Sequence, residues 1–477
     1  MSFARRALPD ALAATAVALV ILAWFGHAFL NYDTFYALVW GGDLAHGRAP
    51  QYDVPVAPTP HPLAIGAGMV ASLFGDAGEG VMLGLVLLAI GWLVVGVHRL
   101  GTEAFALPVG LLAAVLVATR VPPLNYGIRG YVDLPALAFV VWAAVLEVRR
   151  PRRGWPVLVL LGLAGLLRPE AWLFIAAYWP WLFPARAWRA RVGLALLAAA
   201  APAIWLLSDL LVTGDGLWSL HGTHELAGQL ERPTGLDDAV RLGPRRLGEI
   251  VRLPELIAAV LGFAAALVWM RRRALVPAAL LALNGVAFVV LSLAGLPLLG
   301  RYLFVAAAML CLFAAVVVFG WTALGADSAL RIPWRIAGLV VLAAILVFLP
   351  NQVDRLGTLH DDIAARQRVD ADLHTLVTSR GGRFAIDFCG TLFVPNHRVV
   401  PQLAYWTGER PAEIVAATRR RPTPGGLFVA PATRRAEKLS VLDPRDRTAP
   451  ARAPEGYRRV ARHGSWVLYA GPRCRGN

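Results

Sequence analysis

Apolar residues in this chain come in long continuous runs, with neither the alternation of a half-buried strand nor the single stripe of a surface helix. "ALAATAVALVILAWFGHAFL" (11–30) and "FVAAAMLCLFAAVVVFG" (304–320) are representative. A run of about 18 such residues marks a candidate membrane span. On that measure the runs predict eleven spans: 9–30, 79–99, 104–119, 131–148, 155–168, 169–184, 191–212, 252–270, 274–295, 299–320 and 334–350. The stretch 62–74 is too short to cross and reads as a re-entrant or juxtamembrane helix. Arg168-Pro169-Glu170 forms the tip of the short pair 155–168 and 169–184.

The pattern changes after Pro350. "GGRFAIDF", "GGLFVAPA" and "YRRVARHGSWVLYAG" read as strands, the last a hairpin turning at His463-Gly464. Asp361 to Ser379 and Pro411 to Arg420 read as helices. The expected architecture is an α-helical polytopic membrane protein of about 11 transmembrane helices plus the juxtamembrane helix, with a small C-terminal α/β domain. Residues 1–350 form the transmembrane domain, with 31–78 its first external loop, and 351–477 the soluble domain.

Composition supports the membrane reading and charge orients it. Hydrophobic residues make up 57% of the chain and charged ones 16%, well under the roughly 25% of a soluble domain. The formal net charge is +15, and every basic residue except Lys438 is arginine. This bias reads as topology and lipid contact, with no nucleic-acid partner. Met1 to Arg6 is basic, and the apolar run behind it is too long for a signal core, so the first helix is expected to be retained with its N-terminus in the cytoplasm. Basic residues then fall after each even-numbered span: Arg99, the Arg149–Arg153 group, Arg186 to Arg191, Arg271 to Arg273, and Arg331 with Arg335. That is the positive-inside pattern. It places the long segments 31–78, 120–130, 213–251 and the whole C-terminal domain outside a bacterial cytoplasmic membrane. Cys389 and Cys474 fall in that external domain, where an oxidising compartment favours a disulfide between them.

The span centres carry few polar groups, Asp209 and Asn284 being the main exceptions. A transporter would need such groups at mid-bilayer. Ionisable residues gather instead at the external boundary. Tyr32 and Asp33 follow the first span; Arg129 and Asp133 enter the fourth; Arg168 and Glu170 form the hairpin tip; His224 and Glu225 stand in the loop after the seventh; Arg301 and Tyr302 open the tenth. Each has a plain structural alternative. Asp33 and Asp133 could start helices, Arg168 and Glu170 could form a turn ion pair, and Arg301 could anchor its helix at the interface. "HGTHE" matches neither zinc-protease spacing.

"FLNYDTFYALVWGGDLAHGRAPQYD...TPHPLA" resembles the first external loop of the GT-C integral-membrane glycosyltransferases, relatives of the protein O-mannosyltransferases, aminoarabinose transferases and rhizobial lipopolysaccharide glycosyltransferases. "GYVDLPALAF" resembles their second acidic motif, and "LAGLLRPEAW" their short hairpin helices. "LLVTGDGLWSLHGTHEL" and "LLGRYLF" are similar to segments of bacterial members. The resemblance implies a GT-C-like fold and inverting transfer of a sugar from a polyprenyl-phosphate donor to an extracytoplasmic acceptor hydroxyl, on a glycan, glycolipid or protein. Asp33 is then expected to be the general base and Asp133 a second catalytic carboxylate. Arg301 and Arg168 would hold the donor phosphate. Tyr32, Arg129, Glu170, His224, Glu225 and Tyr302 would contact substrates. The family's paired acidic motif is missing at Asp33, which weakens the case for a bound metal, and the resemblance covers both metal-dependent and metal-independent enzymes; a divalent cation, Mg or Mn, would have Asp33 and Asp133 as its ligands. A lipid-linked sugar flippase and a non-catalytic envelope scaffold are the alternative classes.

Overall fold

The computed structural model describes residues 3–185, 187–441 and 451–474; Arg186, one of the basic connection residues, lies outside them. The first half consists of α1 (Phe3–Phe25), α2 (Tyr32–Ala45), α3 (Pro62–Ser72), α4 (Gly78–Ala104), α5 (Leu107–Ala118), α6 (Val121–Ile128), α7 (Asp133–Arg149), α8 (Trp155–Gly165) and α9 (Ala171–Trp181). It continues through α10 (Trp188–Thr213), α11 (Trp218–Gln229), α12 (Leu236–Val251), α13 (Leu253–Trp269), α14 (Arg271–Leu293), α15 (Phe304–Phe319) and α16 (Arg331–Val347).

Helix α15 is apolar on every side and almost wholly buried, as expected of the central member of a bundle. Helix α13 crosses it closely because Gly262 has no side chain; a methyl there would run into the Phe313 carbonyl. Small residues serve this purpose at helix contacts in lipid. On the periphery, α10 and α16 leave apolar faces uncovered, with Leu211 82% exposed. In water such a surface would be unfavourable; against acyl chains it is neutral.

The chain is a multi-pass membrane protein with fewer unbroken crossings than the eleven expected. Among the described residues five helices are long and apolar enough to span, and eight spans result if three bent pairs each count as one. The bends lie between α5 and α6, α12 and α13, and α16 and the helix that follows it. The first two are joined by a buried strut. The Arg120 guanidinium donates to Glu255 Oε1 at 2.8 Å, to the Val251 carbonyl at 2.8 Å and to the Leu116 carbonyl at 3.0 Å. The first helix ends at Phe25 instead of residue 30, because Gly26 turns the chain with φ +64°. The segment 213–251, read as a loop, contains α11 and α12.

Helix α17 (Leu349–Thr378) carries the chain into the terminal unit of α18 (Arg380–Phe388), α19 (Val400–Thr407) and a five-stranded sheet. Its strands are β1 (Leu392–Val394), β2 (Ile414–Ala416), β3 (Leu427–Pro431), β4 (Arg458–His463) and β5 (Trp466–Ala470), ordered β2-β1-β3-β5-β4. Strand β1 pairs in parallel with β2 and β3, and β5 runs antiparallel between β3 and β4. Two expectations are corrected. "GGRFAIDF" is helix α18, because Ser379 caps it through the Gly382 amide and Phe384 stacks on Phe388 one turn later. Pro411–Arg420 keeps only a 3₁₀ turn at Pro411–Glu413: Ile414 and Val415 supply strand β2, where their branched side chains suit a pleated surface. Cys389 and Cys474 form a disulfide between the end of α18 and the chain beyond β5.

This unit is docked on the first loop and the start of α4. The Tyr405 hydroxyl donates to the Gly75 carbonyl at 3.0 Å and Trp406 Nε1 to Glu79 Oε2 at 3.1 Å. Arg410 donates to the Ala49 carbonyl at 2.9 Å, and the Ala412 amide to Gln51 Oε1 at 3.1 Å.

Candidate functional site

Four separate segments meet at the end of the bundle covered by the terminal unit, and each is held there by a local device. The first is the start of α2. Asn31 caps this helix, its side-chain oxygen accepting from the Asp33 and Thr34 amides. The same side chain donates to the Arg129 carbonyl at 3.0 Å, and the Thr34 hydroxyl donates to the Gly130 carbonyl at 2.6 Å. These bonds tie the start of α2 to the turn between α6 and α7, where Gly130 has φ +66°. Asp33 and Asp133 are thereby brought to one place from segments a hundred residues apart. Neither acts as a helix cap through its side chain, since Asn31 takes that role in α2 and α7 has no side-chain cap.

The third segment is the tip between α8 and α9. Arg168 Nε donates to Glu170 Oε1 at 2.8 Å, and its Nη1 lies 3.5 Å from Asp133 Oδ1. The fourth is the break before α15. Asn284, in the middle of α14, donates from Nδ2 to the Tyr302 carbonyl at 2.9 Å and accepts from the Ala306 amide at 2.9 Å. It satisfies an otherwise orphaned group in the first turn of α15 and pins the 3₁₀ turn Gly300–Leu303. That turn projects Arg301 between the carboxylates, with Nη1 3.5 Å from Asp33 Oδ2 and 3.7 Å from Asp133 Oδ2. Aromatic rings surround the two guanidiniums. Arg168 lies 4.5 Å from the Tyr302 ring centre, and Arg301 lies within 5.9 Å of Tyr126, Tyr131 and Tyr302. Such stacking holds an arginine plane in a fixed orientation.

The cluster is largely dry: Asp133 and Arg168 are buried, while Asp33 keeps 22% of its side chain accessible. Buried Arg301 Nε and Asp133 Oδ2 have no hydrogen-bond partner among the described residues. An N–H donor left unmet in a buried site is costly, and here it points to a missing acceptor. Asp33 and Asp133 do not suit a metal ion, because a guanidinium already stands between them and the nearest further carboxylate, Glu170, is bonded to Arg168. Among the described residues no group of three or more metal-ligating side chains comes together.

His61, at the start of α3, was not singled out from the sequence. It is buried with its ring 5.7 Å from that of Trp205. Burial, then the charges of Arg168 and Arg301, hold its pKa well below the ordinary histidine value. Its position in "TPHPLA", between two prolines ahead of a helix that does not span, was the available signal.

The remaining expected residues are arranged as follows. Tyr32 donates to the Val56 carbonyl at 2.9 Å and stacks edge-on with Tyr36 and His397. Its pKa is raised, by burial first and then by Tyr36 and Asp33. The Arg129 guanidinium lies 5.4 Å from the Tyr131 ring, one ring removed from Arg301. His224 and Glu225 are not brought to the cluster. His224 lies 3.2 Å from the Gly295 carbonyl, and Glu225 accepts from Gln229 on its own helix. Helix α11 directs His224 to the turn at Gly295 and Glu225 to a cavity that Asp53 and Arg419 also line.

A groove of about 1240 Å³ begins beside the cluster at Thr34 and Val132, and follows the apolar walls of α3, α4, α7 and α8. Met82, Trp92, Phe139 and Trp142 line it, and its far end reaches Arg149, Arg150 and Arg153.

No protein-family model matches the chain, and no curated protein matches it in sequence. Its likeness to solved structures is one of fold. Two crystal structures of ArnT from Cupriavidus metallidurans, one bound to undecaprenyl phosphate and one in the apo state, give TM-scores of 0.59 and 0.54 at 13% and 14% identity. They cover 99% and 98% of this chain and the whole of ArnT. The oligosaccharyltransferase of Archaeoglobus fulgidus in its apo form gives 0.51 at 12% identity, over 85% of this chain and 64% of its own. These are GT-C transferases, and the chain shares their fold.

Proposed function

We propose that this protein is an inverting membrane glycosyltransferase that moves a sugar from a polyprenyl-phosphate donor to an acceptor hydroxyl, with Asp33 as general base. The observation that carries the reading is the convergence of Arg301, Arg168, Asp133 and Asp33 at the mouth of a long apolar groove. A phosphate has what the unmet Arg301 Nε donor requires, and a polyprenyl chain has what the groove requires. The ArnT structure bound to undecaprenyl phosphate, similar in fold, contains such a lipid phosphate. In this reading α3 and the α8–α9 pair wall the groove. The bundle lies in a bacterial cytoplasmic membrane with its N-terminus inside, and the site and terminal α/β unit face the extracytoplasmic side.

The chemistry follows from the charges. An arriving phosphate competes with Asp33 for Arg301, whose contact with that carboxylate is a long 3.5 Å. Arg301 and Arg168 then hold the phosphate oxygens in a forked arrangement that point charges cannot supply. Released from its partner, Asp33 accepts a hydrogen bond from the acceptor hydroxyl. The hydroxyl oxygen attacks the anomeric carbon from the face opposite the phosphate. Its proton passes to Asp33 as the carbon–oxygen bond to phosphate breaks, and the lipid phosphate leaves with the bonding electrons. Preorganised positive charge where anionic charge develops is the main catalytic contribution. Positioned proton transfer adds about 10²–10⁴-fold. Asp133, touching both arginines, keeps them in register.

The test uses purified protein in proteoliposomes with a panel of undecaprenyl-phosphate sugars, reading release of the lipid phosphate. Asp33→Asn should fold, bind donor and lose about 100-fold or more in turnover. Near-normal turnover would move the base elsewhere. Movement of lipid-linked sugar across the bilayer without transfer would establish a flippase instead.

A further inference from the structure

The structure contains a second cavity of about 550 Å³, lined by none of the four charged residues of the cluster and sharing no lining residue with the apolar groove. Such a volume is that of a ligand site. It lies between the first loop, the end of α11 and the terminal α/β unit. Its floor is Tyr36 and the Val54–Val56 strip, and its upper wall is the turn after β2, which carries Arg419 and Arg420.

Arg419 and Arg420 line the cavity and no carboxylate does so among the described residues, although Asp53 and Glu225 line the adjoining cavity that shares Arg419, and Glu409 and Glu413 the one that shares Arg420. Neither arginine has a carboxylate partner among the described residues, although Arg420 lies 5.5 Å from the Phe393 ring. Both are solvent-exposed, and arginine pairs with carboxylate or phosphate through two parallel N–H bonds. The walls are fixed: Arg410 and Ala412, which approach the same cavity, are bonded to Ala49 and Gln51 of the first loop. The floor leads to the reacting group. Tyr36 packs on Tyr32 with ring centres 5.0 Å apart, and Tyr32 directly precedes Asp33 in α2. Tyr36 thus links the cavity wall to Tyr32, the residue before the base.

We propose that this cavity binds the acceptor, and that the acceptor is an anionic glycan, one bearing uronate or phosphate groups, held by Arg419 and Arg420. The assignment rests on the transferase reading, but its test reads binding alone. Purified full-length protein is titrated with fluorescent oligogalacturonate hexasaccharide, with phosphorylated pentamannose and with neutral maltohexaose. Arg419→Ser/Arg420→Ser should weaken one or both anionic probes about tenfold or more, the equivalent of one charge-assisted hydrogen bond. The probe affected distinguishes carboxylate from phosphate. Binding should also fall with added salt, and maltohexaose should bind no better than background.

The comparison variant is Arg434→Ser/Arg435→Ser, which removes the same charge from exposed positions elsewhere on this unit. It should bind as the parent does. Equal losses in both variants, or unchanged binding in Arg419→Ser/Arg420→Ser, would overturn the proposal. Asp33→Asn should retain probe binding. If it also retains transfer, the general-base reading fails while the cavity assignment stands.

Discussion

Asn284 offers the sharpest test of how the bundle positions its reactive end. Its carboxamide lies in the middle of a span, where a polar group is costly unless satisfied, and both ends of it are used. Asn284→Leu keeps nearly the same volume and removes both bonds. The Ala306 amide, wholly inside the bundle, is then left without a partner, and so is the Tyr302 carbonyl. Each stranded group costs about 1–3 kcal/mol, so stability against unfolding in detergent should fall by about 2–6 kcal/mol. The turn that carries Arg301 loses its pin to α14, and Arg301 should no longer sit within 4 Å of both carboxylates. In a transfer assay the KM for the polyprenyl donor should therefore rise more than that for the acceptor. Ser292→Ala on the same helix is the control, because the Ser292 hydroxyl is buried without a hydrogen-bond partner among the described residues and its loss should be neutral. If Asn284→Leu melts with the parent and its donor KM is unchanged, Asn284 does not position Arg301.

Other outcomes follow from the same geometry. Removing one partner of the Arg120–Glu255 strut leaves the other charge buried, so Arg120→Met and Glu255→Leu should each destabilise by about 3–5 kcal/mol, and the double variant by less than their sum. His61 is neutral in the fold because its pKa is depressed. The unfolded chain takes up a proton near pH 6.5 and the folded one does not, so stability falls as pH drops below that point, by about 1.4 kcal/mol per unit. His61→Asn should flatten thermal-unfolding profiles between pH 6.5 and 5; an unaltered slope would show that the imidazole is protonated in place. The Cys389–Cys474 bridge closes a separation of 85 residues. Its loss in Cys389→Ser should destabilise the terminal unit by about 3–5 kcal/mol, and equal stability with and without reductant would exclude that contribution.

The site was legible where one residue type at one boundary carried the signal. Asp33, Asp133, Arg168, Glu170, Arg301 and Tyr302 are polar groups at the ends of apolar runs, and the fold gathers them. His224 and Glu225 share that property but are turned away, because sequence position gives the depth of a residue along the bundle and not its angle around a helix. His61 was missed because a histidine between prolines has no periodicity to read. Asn284 was visible as a polar exception, but its partners across the break before α15 depend on tertiary packing. In the terminal unit, Phe384, Ile386 and Phe388 alternate as a strand would, yet Phe384 and Phe388 stack on each other along α18 and only Ile386 turns inward. A short period-two pattern cannot decide between those outcomes. The number of spans was blurred by bends at Arg120 and Arg252, where continuous hydrophobicity hides a change of direction.

The latches that join the first loop and the start of α4 to the terminal unit link residues 327 to 361 positions apart in sequence. During translation the early half of each latch waits while the intervening helices enter the membrane one after another. Closing a loop of that length is the slowest and last event available to the chain. A nascent polypeptide therefore carries every residue of the reactive cluster before it possesses the roof above it. Quality control that recognises an undocked first loop would identify unfinished copies before they encounter substrate.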